Sequence, residues 1–276
     1  MNILAIETTG AEASVAIIDE AGKITDAISH ENLNHLSFLM PLIGEALEKA
    51  SLKMSDIDVV AASEGPGSFT GIRIGVSSAR ALAQALNIPC IAVPTLKAFL
   101  YNLDENDQKF KETCEEFEQT VFCPLFDARR SQVYGGAYAW SGAETTSIYE
   151  QINEVVEGKA YMLSEILEHL AEEVNNADAT TSYKSIIFFG DGVDKYVEEI
   201  KNWAATSLKE DVTIEFAEEA KRYQHAVSVA KLAKELSKDG RTCHYNDLKP
   251  NYMRKAEAER KLEEAKAAKQ TEEARG

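Results

Sequence analysis

The 276-residue sequence is poor in cysteine, short of basic side chains and without any long apolar run. The four cysteines, at positions 90, 114, 123 and 243, form no CxxC pair, so we expect reduced structural thiols. No stretch approaches the ~20 apolar residues of a membrane helix. The first residues reach Glu7 without a basic segment, so we expect no signal peptide. These absences predict a cytoplasmic protein with no membrane contact.

The charge balance excludes one large class of function. There are 29 Lys and Arg against 46 Asp and Glu, which gives a net charge of −17. A freestanding nucleic-acid binder draws its affinity from an excess of basic side chains facing phosphates, and here the excess is acidic. If RNA is involved, a more basic partner must hold most of it. The 45% apolar and 27% charged content is typical of a globular chain with one large or two modest domains.

Apolar patterning predicts an α/β protein with mixed sheets flanked by helices. Three strands at residues 3–6, 14–18 and 24–29 precede a helix at 33–52, whose apolar residues recur every three or four positions. A strand at 57–62 then leads through glycines into a helix at 69–86. The same reasoning predicts further strands at 90–93, 121–126, 132–139 and 185–189, and helices at 95–101, 163–174, 193–204 and 226–236.

The glycine-rich segment at residues 64–71 connects a strand to a helix, which is where phosphate-binding loops occur. It lacks the glycine spacing and lysine of a Walker loop, and Pro66 and Thr70 stand where a nucleophile elbow around Ser68 requires glycines. A tight connection that lets the helix pack closely is therefore the alternative to a phosphate loop. The turn consists of Gly65, Pro66, Gly67, Ser68, Phe69, Thr70 and Gly71.

The sequence offers no convincing catalytic or metal-binding set. His30 and His35 are five residues apart, whereas the HExxH zinc signature places its histidines four apart on one helical face. We therefore expect no metal site and assign no catalytic residue.

Two short turns at strand ends are candidates for a vestigial nucleotide site. The turn after the first strand presents hydroxyls and N–H groups to a phosphate, or it is an ordinary hairpin turn. The later turn, at residues 190–192, lies beside a nucleotide base, or it only caps the turn into the next helix. The candidate residues are Glu7, Thr8 and Thr9 in the first turn and Gly190, Asp191 and Gly192 in the second.

The first two long helices carry more apolar surface than covering one sheet requires. The second also has small residues that permit close helix approach, so both helices are candidates for a partner interface, or they are buried within a layered fold. On the interface interpretation, a Leu39→Glu chain stays folded and loses its partner. The predicted interface residues are Leu36, Leu39, Met40, Ile43, Ile72, Arg73, Val76 and Arg80.

Five segments in the same order resemble the bacterial TsaB (YeaZ) family. They are residues 3–9, 64–75, 126–134, 190–192 and 250–254, and the resemblance spans residues 1 to about 258. It implies the two-lobed fold of actin, sugar kinases and Hsp70 ATPases (the ASKHA class). The predicted regions are an N-terminal dimerisation lobe at 1–103, a second lobe at 104–222, a helix with a closing segment at 223–253, and an exposed tail at 254–276.

The resemblance also implies a function in making N6-threonylcarbamoyladenosine beside the tRNA anticodon. In that family TsaB is a non-catalytic scaffold that activates the TsaD transferase, a paralogue that holds the metal, and a TsaE-type ATPase joins the pair. ATP and metal are accordingly expected only in partner subunits, tRNA contact only through the complex, and a homodimer when TsaB is alone. The family's older glycoprotease label finds no protease site in this sequence. Two segments, at 104–119 and beyond 259, are longer than the family's usual pattern.

An alternative function is a stand-alone enzyme of the actin-like fold that binds ATP between its lobes, near residues 7–10 and 190–192. A third, a metalloprotease, would need a metal that the sequence does not predict.

Overall fold

The computed structural model contains two five-stranded mixed sheets, each flanked by helices, and the predicted two-lobed α/β fold is confirmed. Cys114, the long segment after residue 103 and the charged tail lie outside the described residues. In the part of the chain that the structure describes, no helix is long and apolar enough to cross a membrane. The described residues are 1–28, 35–103, 119–129, 131–141, 149–177 and 182–253.

The first sheet has the order β3-β2-β1-β4-β5. β1, β2 and β3 form an antiparallel meander, and β4 and β5 join it in parallel on the other side of β1. Every residue of β1 and β2 is buried, which fits their continuous apolar runs in the sequence. The strands are β1 (Ile3–Glu7), β2 (Ser14–Ile18), β3 (Ile24–Ile28), β4 (Val59–Gly65) and β5 (Cys90–Pro94).

The second sheet repeats this connectivity, with the order β10-β9-β6-β7-β8. β6, β7 and β8 form the antiparallel meander, and β9 and β10 add in parallel beside β6. The edge strands β8 and β10 were not predicted, because exposed residues such as Glu154 and Glu157 of β8 interrupt their apolar pattern. The strands are β6 (Thr120–Arg129), β7 (Gln132–Trp140), β8 (Ile152–Met162), β9 (Ser185–Phe189) and β10 (Thr213–Phe216).

The long helices start and end close to their predicted limits, because their apolar period and end residues are local signals. For example, Ser68 caps α2 and Asn87 ends it in the left-handed conformation. The helices are α1 (His35–Ala50), α2 (Phe69–Leu86), α3 (Thr95–Ala98), α4 (Leu163–Asn176), α5 (Asp191–Ser207), α6 (Glu219–Arg222) and α7 (Ala226–Lys238), with 3-10 turns at Met54–Asp56, Phe99–Tyr101 and Tyr149–Gln151.

Four clusters of buried apolar side chains hold these layers together. One joins the first sheet to α1 and α2, and a second joins the opposite face of that sheet to α7. A third joins the second sheet to α4 and α5. The fourth connects the two lobes, with the rings of Phe99 and Phe126 5.4 Å apart. α7 therefore completes the first lobe although it follows the second lobe in the sequence.

The structure places four of the eight predicted interface residues inside the chain's own core. Leu39, Ile43, Ile72 and Val76 are at most 2% exposed and belong to the cluster under α1 and α2. Their apolar period therefore reflects packing on the first sheet, and these four side chains are not available to a partner. The side chain of Leu36 lies outside the described residues.

The other predicted interface residues whose side chains are described remain at least partly exposed to solvent. Met40 is 54% exposed, Arg73 is exposed and Arg80 is half-buried. Whether a partner binds there stays a prediction. The expectation that a Leu39→Glu chain remains folded is corrected, because a charge at that position would be placed in the core.

We predict that Leu39→Glu lowers the free energy of unfolding by at least about 3 kcal/mol, because it removes a buried side chain and buries a carboxylate. The neighbouring Met40→Glu, on the exposed side of the same helix, should change it by about 0.5 kcal/mol or less. Urea unfolding followed by circular dichroism measures both. Equal losses in the two variants would contradict the described orientation of α1.

Candidate functional site

The predicted motif turn, residues 65–71, leads from the end of β4 into α2. Gly65 and Gly67 have positive φ angles of 118° and 151°, which favour glycine, and the Gly65–Pro66 peptide is cis. The Ser68 hydroxyl accepts a hydrogen bond from the N–H of Gly71 at 3.2 Å and so caps the helix. The two glycines and the Ser68 cap thus form the connection from β4 to α2.

This motif turn packs directly on the turn after β1. The N–H of Ser68 donates to the carbonyl of Thr9 at 2.8 Å, and the Thr8 hydroxyl donates to the carbonyl of Gly71 at 2.7 Å. A Cβ on Gly71 would lie 1.9 Å from the Thr8 carbonyl oxygen, and one on Gly75 would lie 2.4 Å from the Thr8 hydroxyl. Of the two interpretations of this segment, the structure therefore supports the close-packed connection.

Glu7 is the most unusual residue of this region, since it is a carboxylate only 1% exposed. It accepts hydrogen bonds from the Thr9 N–H at 2.5 Å, from the Thr9 hydroxyl at 2.6 Å and from the Ser63 hydroxyl. Burial raises the pKa of Glu7 above its ordinary value, although these hydrogen bonds lower it. Among the described residues no cationic side chain contributes to that pKa.

The second predicted turn, residues 190–192, begins α5 at the end of β9. Gly190 has a positive φ of 91°, and a Cβ there would lie 2.1 Å from the carbonyl oxygen of Leu125 on β6. Its N–H donates to the carbonyl of Arg222 at 2.7 Å, and the Asp191 carboxylate accepts the N–H of Asp127 at 3.0 Å. The polar groups of this turn are thus also used within the chain.

A short crossing segment, residues 221–225, connects the two turns across the space between the lobes. In the second turn, the N–H of Gly190 donates to the Arg222 carbonyl of this segment. In the first turn, the Gln224 side chain lies so close to Gly10 that a Cβ added there would be 2.9 Å from the Gln224 Oε1 atom. From the first lobe, the Asn102 side chain donates to the carbonyls of Lys221 and Tyr223, at 2.7 and 3.0 Å. The crossing segment therefore contacts both predicted turns, at Gly10 in the first and at Gly190 in the second.

The space left beside the crossing segment is small. It has about 150 Å³ of empty volume, with its opening to solvent included, and Glu7, Thr95, Asn102 and Gln224 are among the residues that line it. Pockets for small molecules usually hold roughly 300–1,000 Å³. This space is therefore too small for a nucleotide while the crossing segment lies beside it. Asn102 and Gln224, which close this cleft, were missed from the sequence because single polar residues in loops carry no periodic signal.

An exposed aromatic and cationic group lies at the start of α2. The Arg73 guanidinium is 4.0 Å from the centre of the Phe69 ring, and its Nε donates to the Tyr252 hydroxyl at 2.8 Å. The Phe69 and Tyr252 rings, 37% and 38% exposed, have centroids 5.0 Å apart. Tyr252 belongs to the segment at 250–254 that the sequence analysis singled out without giving it a role.

The structure offers no metal centre in the described part of the chain. No group of three or more His, Cys, Asp or Glu side chains is placed to hold an ion there. His30 and the side chain of His35 lie outside the described residues.

Comparison with known proteins identifies the family. A family model described as TsaD, tRNA N6-adenosine threonylcarbamoyltransferase, matches residues 29–262. The protein named tRNA threonylcarbamoyladenosine biosynthesis protein TsaB in Bacillus subtilis (strain 168) is 30% identical over 261 residues, which are 95% of this chain and 97% of that protein. The chain belongs to the TsaB (YeaZ) family. The Escherichia coli (strain K12) TsaB is 29% identical over 170 residues, 59% of this chain and 68% of that one.

Transferase relatives match a smaller part of the chain. The tRNA N6-adenosine threonylcarbamoyltransferase of Kosmotoga olearia is 36% identical over 117 residues, which are 37% of this TsaB-family chain and 35% of the transferase. Among solved structures, YeaZ from Pseudomonas aeruginosa superposes with a TM-score of 0.65 at 23% identity, covering 91% of this chain and 99% of that one. The resemblance of the five segments and the fold that it implies are both confirmed.

The packing at Gly71 gives a matched pair of substitutions. Gly71→Ala should lower the free energy of unfolding by on the order of 1–3 kcal/mol, because its Cβ would collide with backbone and α2 would have to shift. Gly44→Ala, in α1, has nothing within 4 Å of its Cβ and should raise stability by about 0.5–1 kcal/mol. Urea unfolding compares them. A gain in stability from Gly71→Ala would contradict the contact.

Glu7 predicts a pH-dependent difference in stability. Since its pKa is raised in the folded chain, its contribution is fully present below the ordinary pKa of 4.5 and is lost as pH rises through the folded value. Glu7→Gln does not titrate, so its stability relative to the original chain should increase as pH rises from about 4.5. Urea unfolding from pH 4 to 8 measures this, with the exposed Glu48→Gln as the control for one lost charge. A relative stability that falls with rising pH would contradict the assignment.

Proposed function

We propose that this chain is a non-catalytic scaffold that activates a TsaD-type transferase in the N6-threonylcarbamoyladenosine modification of tRNA beside the anticodon. Membership of the TsaB family supports the pathway, because the Bacillus subtilis and Escherichia coli relatives are named for threonylcarbamoyladenosine biosynthesis. The match to the TsaD model supports a paralogue as the partner.

The closure of the cleft by its own crossing segment is the observation that carries the non-catalytic part of the proposal. The backbone and hydroxyl groups at the two strand-end turns, which would otherwise be free for a phosphate, are hydrogen-bonded within the chain. The space lined by Glu7, Asn102 and Gln224, with about 150 Å³ of empty volume including its opening to solvent, is too small for a nucleotide. On this proposal ATP and the metal belong to the partner subunits.

The partner surface of the proposal is the exposed side of α1 and α2. Met40, Arg73 and Arg80 remain from the predicted set, and the structure adds Phe69 and Tyr252 beside Arg73. Aromatic and arginine side chains are enriched at the centres of protein interfaces. We propose that the TsaD-type paralogue docks here, that the same surface forms a homodimer in its absence, and that a TsaE-type ATPase joins the pair.

The strong acidity of the chain supports an indirect contact with RNA. The chain's net charge of −17 creates an electrostatic field that repels the phosphates of RNA. We therefore propose that tRNA contact occurs only through the complex.

The first experiment measures size by light scattering for the chain alone and mixed with the TsaD-type paralogue of the same organism. ATP hydrolysis and threonylcarbamoyl transfer to tRNA are followed in the same samples, with the TsaE-type ATPase present for transfer. The proposal expects a homodimer that exchanges into a one-to-one complex, and no turnover by the chain alone. ATP hydrolysis by the isolated chain, without any response to the paralogue, would favour the stand-alone enzyme.

The exposed interface residues give a further prediction. Arg73→Glu should weaken binding of the TsaD-type paralogue at least about tenfold, because it reverses a charge at the centre of the proposed surface. Circular dichroism should show an unchanged fold, since Arg73 is exposed. Lys201→Glu, an equal charge reversal on exposed α5 of the second lobe, is the control. Calorimetry in which Arg73→Glu binds like the original chain would overturn this surface.

A further inference from the structure

The segment after α7 returns to the first lobe and pairs with its edge strand. We call this segment, residues 239–253, the C-terminal arm. Cys243 of the arm and Cys90 of β5 form an antiparallel bridge in which each N–H donates to the other's carbonyl at 2.8 Å. Residues that exchange both backbone bonds in this way have Cα atoms ~5.5 Å apart.

The two thiols lie on the same side of this bridge. Both side chains pack in the cluster beneath α2, where the Cys90 Sγ is 4.0 Å from the carbonyl oxygen of Ala79. Cys90 is fully buried, whereas Cys243 is partly exposed. Disulfides join cysteines whose Cα atoms are about 4.4–6.8 Å apart, and the Cα spacing typical of such a bridge lies within that range.

We propose that Cys90 and Cys243 are an oxidation site, a dithiol that closes to an intrachain disulfide and fastens the C-terminal arm to β5. The oxidation site itself is independent of the proposed function, and only its effect on the partner surface rests on that function. The two residues are far apart in sequence and form no CxxC pair, so no sequence spacing indicates their pairing. Both thiols are reduced in this structure, as the sequence predicts.

The chemistry balances with a low-molecular-weight disulfide such as oxidised glutathione as the oxidant. The Cys243 thiolate attacks that disulfide, forms a mixed disulfide and releases one glutathione thiol. The Cys90 thiolate then attacks the Cys243 sulfur and releases the second. Two thiols of the chain lose two electrons and two protons, and one oxidant molecule gains them. Cys243 reacts first because it is the thiol that solvent reaches.

The surroundings of the pair make its reaction slow at neutral pH. Burial, with Cys243 nearby, raises the pKa of Cys90 to about 12, although Arg80 lowers it. Burial, followed by Asp247 and Glu64, raises the pKa of Cys243. Because the thiolate is the nucleophile, the oxidation rate should rise about tenfold per pH unit between pH 7 and 9.

The disulfide would act on the proposed partner surface through the arm. Downstream of Cys243, the N–H of Asn251 donates to the Glu64 carbonyl at 2.7 Å, and Tyr252 accepts the hydrogen bond from Arg73. The disulfide would therefore fasten the start of the arm whose far end makes these two contacts.

The test treats the full folded chain with oxidised glutathione at pH 8.5 and maps its peptides under non-reducing conditions. The expected product has two fewer thiols, one peptide pair joined through Cys90 and Cys243, and no retained glutathione. Dithiothreitol should reverse it, and the oxidised chain should unfold at higher urea than the reduced chain. Buried Cys123 should stay reduced, as an internal control. Cys243→Ser, a conservative change at the partly exposed thiol, should leave Cys90 unreacted.

Three results would overturn the proposal. Glutathione retained on Cys243 would mean that Cys90 cannot complete the exchange. Both thiols unreacted at pH 9, when the same chain oxidises in urea, would mean that the folded geometry does not permit closure. A joined peptide pair that contains Cys114 in place of either partner would assign the oxidation to a different site.

Discussion

The contact between Thr8 and the first turns of α2 is the constraint on which much of the first lobe depends. Only a helix that starts with Gly71 and Gly75 can approach the end of β1 closely enough for the Thr8 hydroxyl to reach the Gly71 carbonyl. That approach places the turn before α2 over the polar groups after β1. In that arrangement the Thr8 hydroxyl and the Ser68 N–H are hydrogen-bonded to backbone carbonyls of the chain itself.

The second lobe repeats the strand connectivity of the first but joins it through different contacts. In both sheets an antiparallel meander is extended by two parallel strands, and in both a glycine-bearing turn leads a strand into a helix. Between the lobes lie the fourth apolar cluster, which contains Phe99 and Phe126, and the crossing segment at residues 221–225. The two lobes are thus connected directly, by apolar packing and by hydrogen bonds from Asn102 to the crossing segment.

Glu7 is an ionisable side chain that is buried within this closely packed region. Its carboxylate is held by Thr9 and Ser63 and has no cation beside it in the described chain, so ionising it costs free energy. Residues that keep such a cost often mark functional sites, and here the carboxylate organises the turn after β1 and the end of β4. The C-terminal arm then covers the outside of the same lobe and brings Tyr252 to Arg73.

The sequence alone determined the main strands, the long helices and the family, because apolar period, helix caps and glycine turns are local signals. It also located the motif turn at residues 65–71. The tertiary structure decided what each apolar face packs against, and it placed Leu39 and Ile72 in the chain's own core. The apolar period of a helix shows that one of its faces is apolar, but it does not show which surface covers that face. The closure of the cleft by Asn102 and Gln224 and the pairing of Cys90 with Cys243 join residues distant in the chain, so only the folded backbone brings them together.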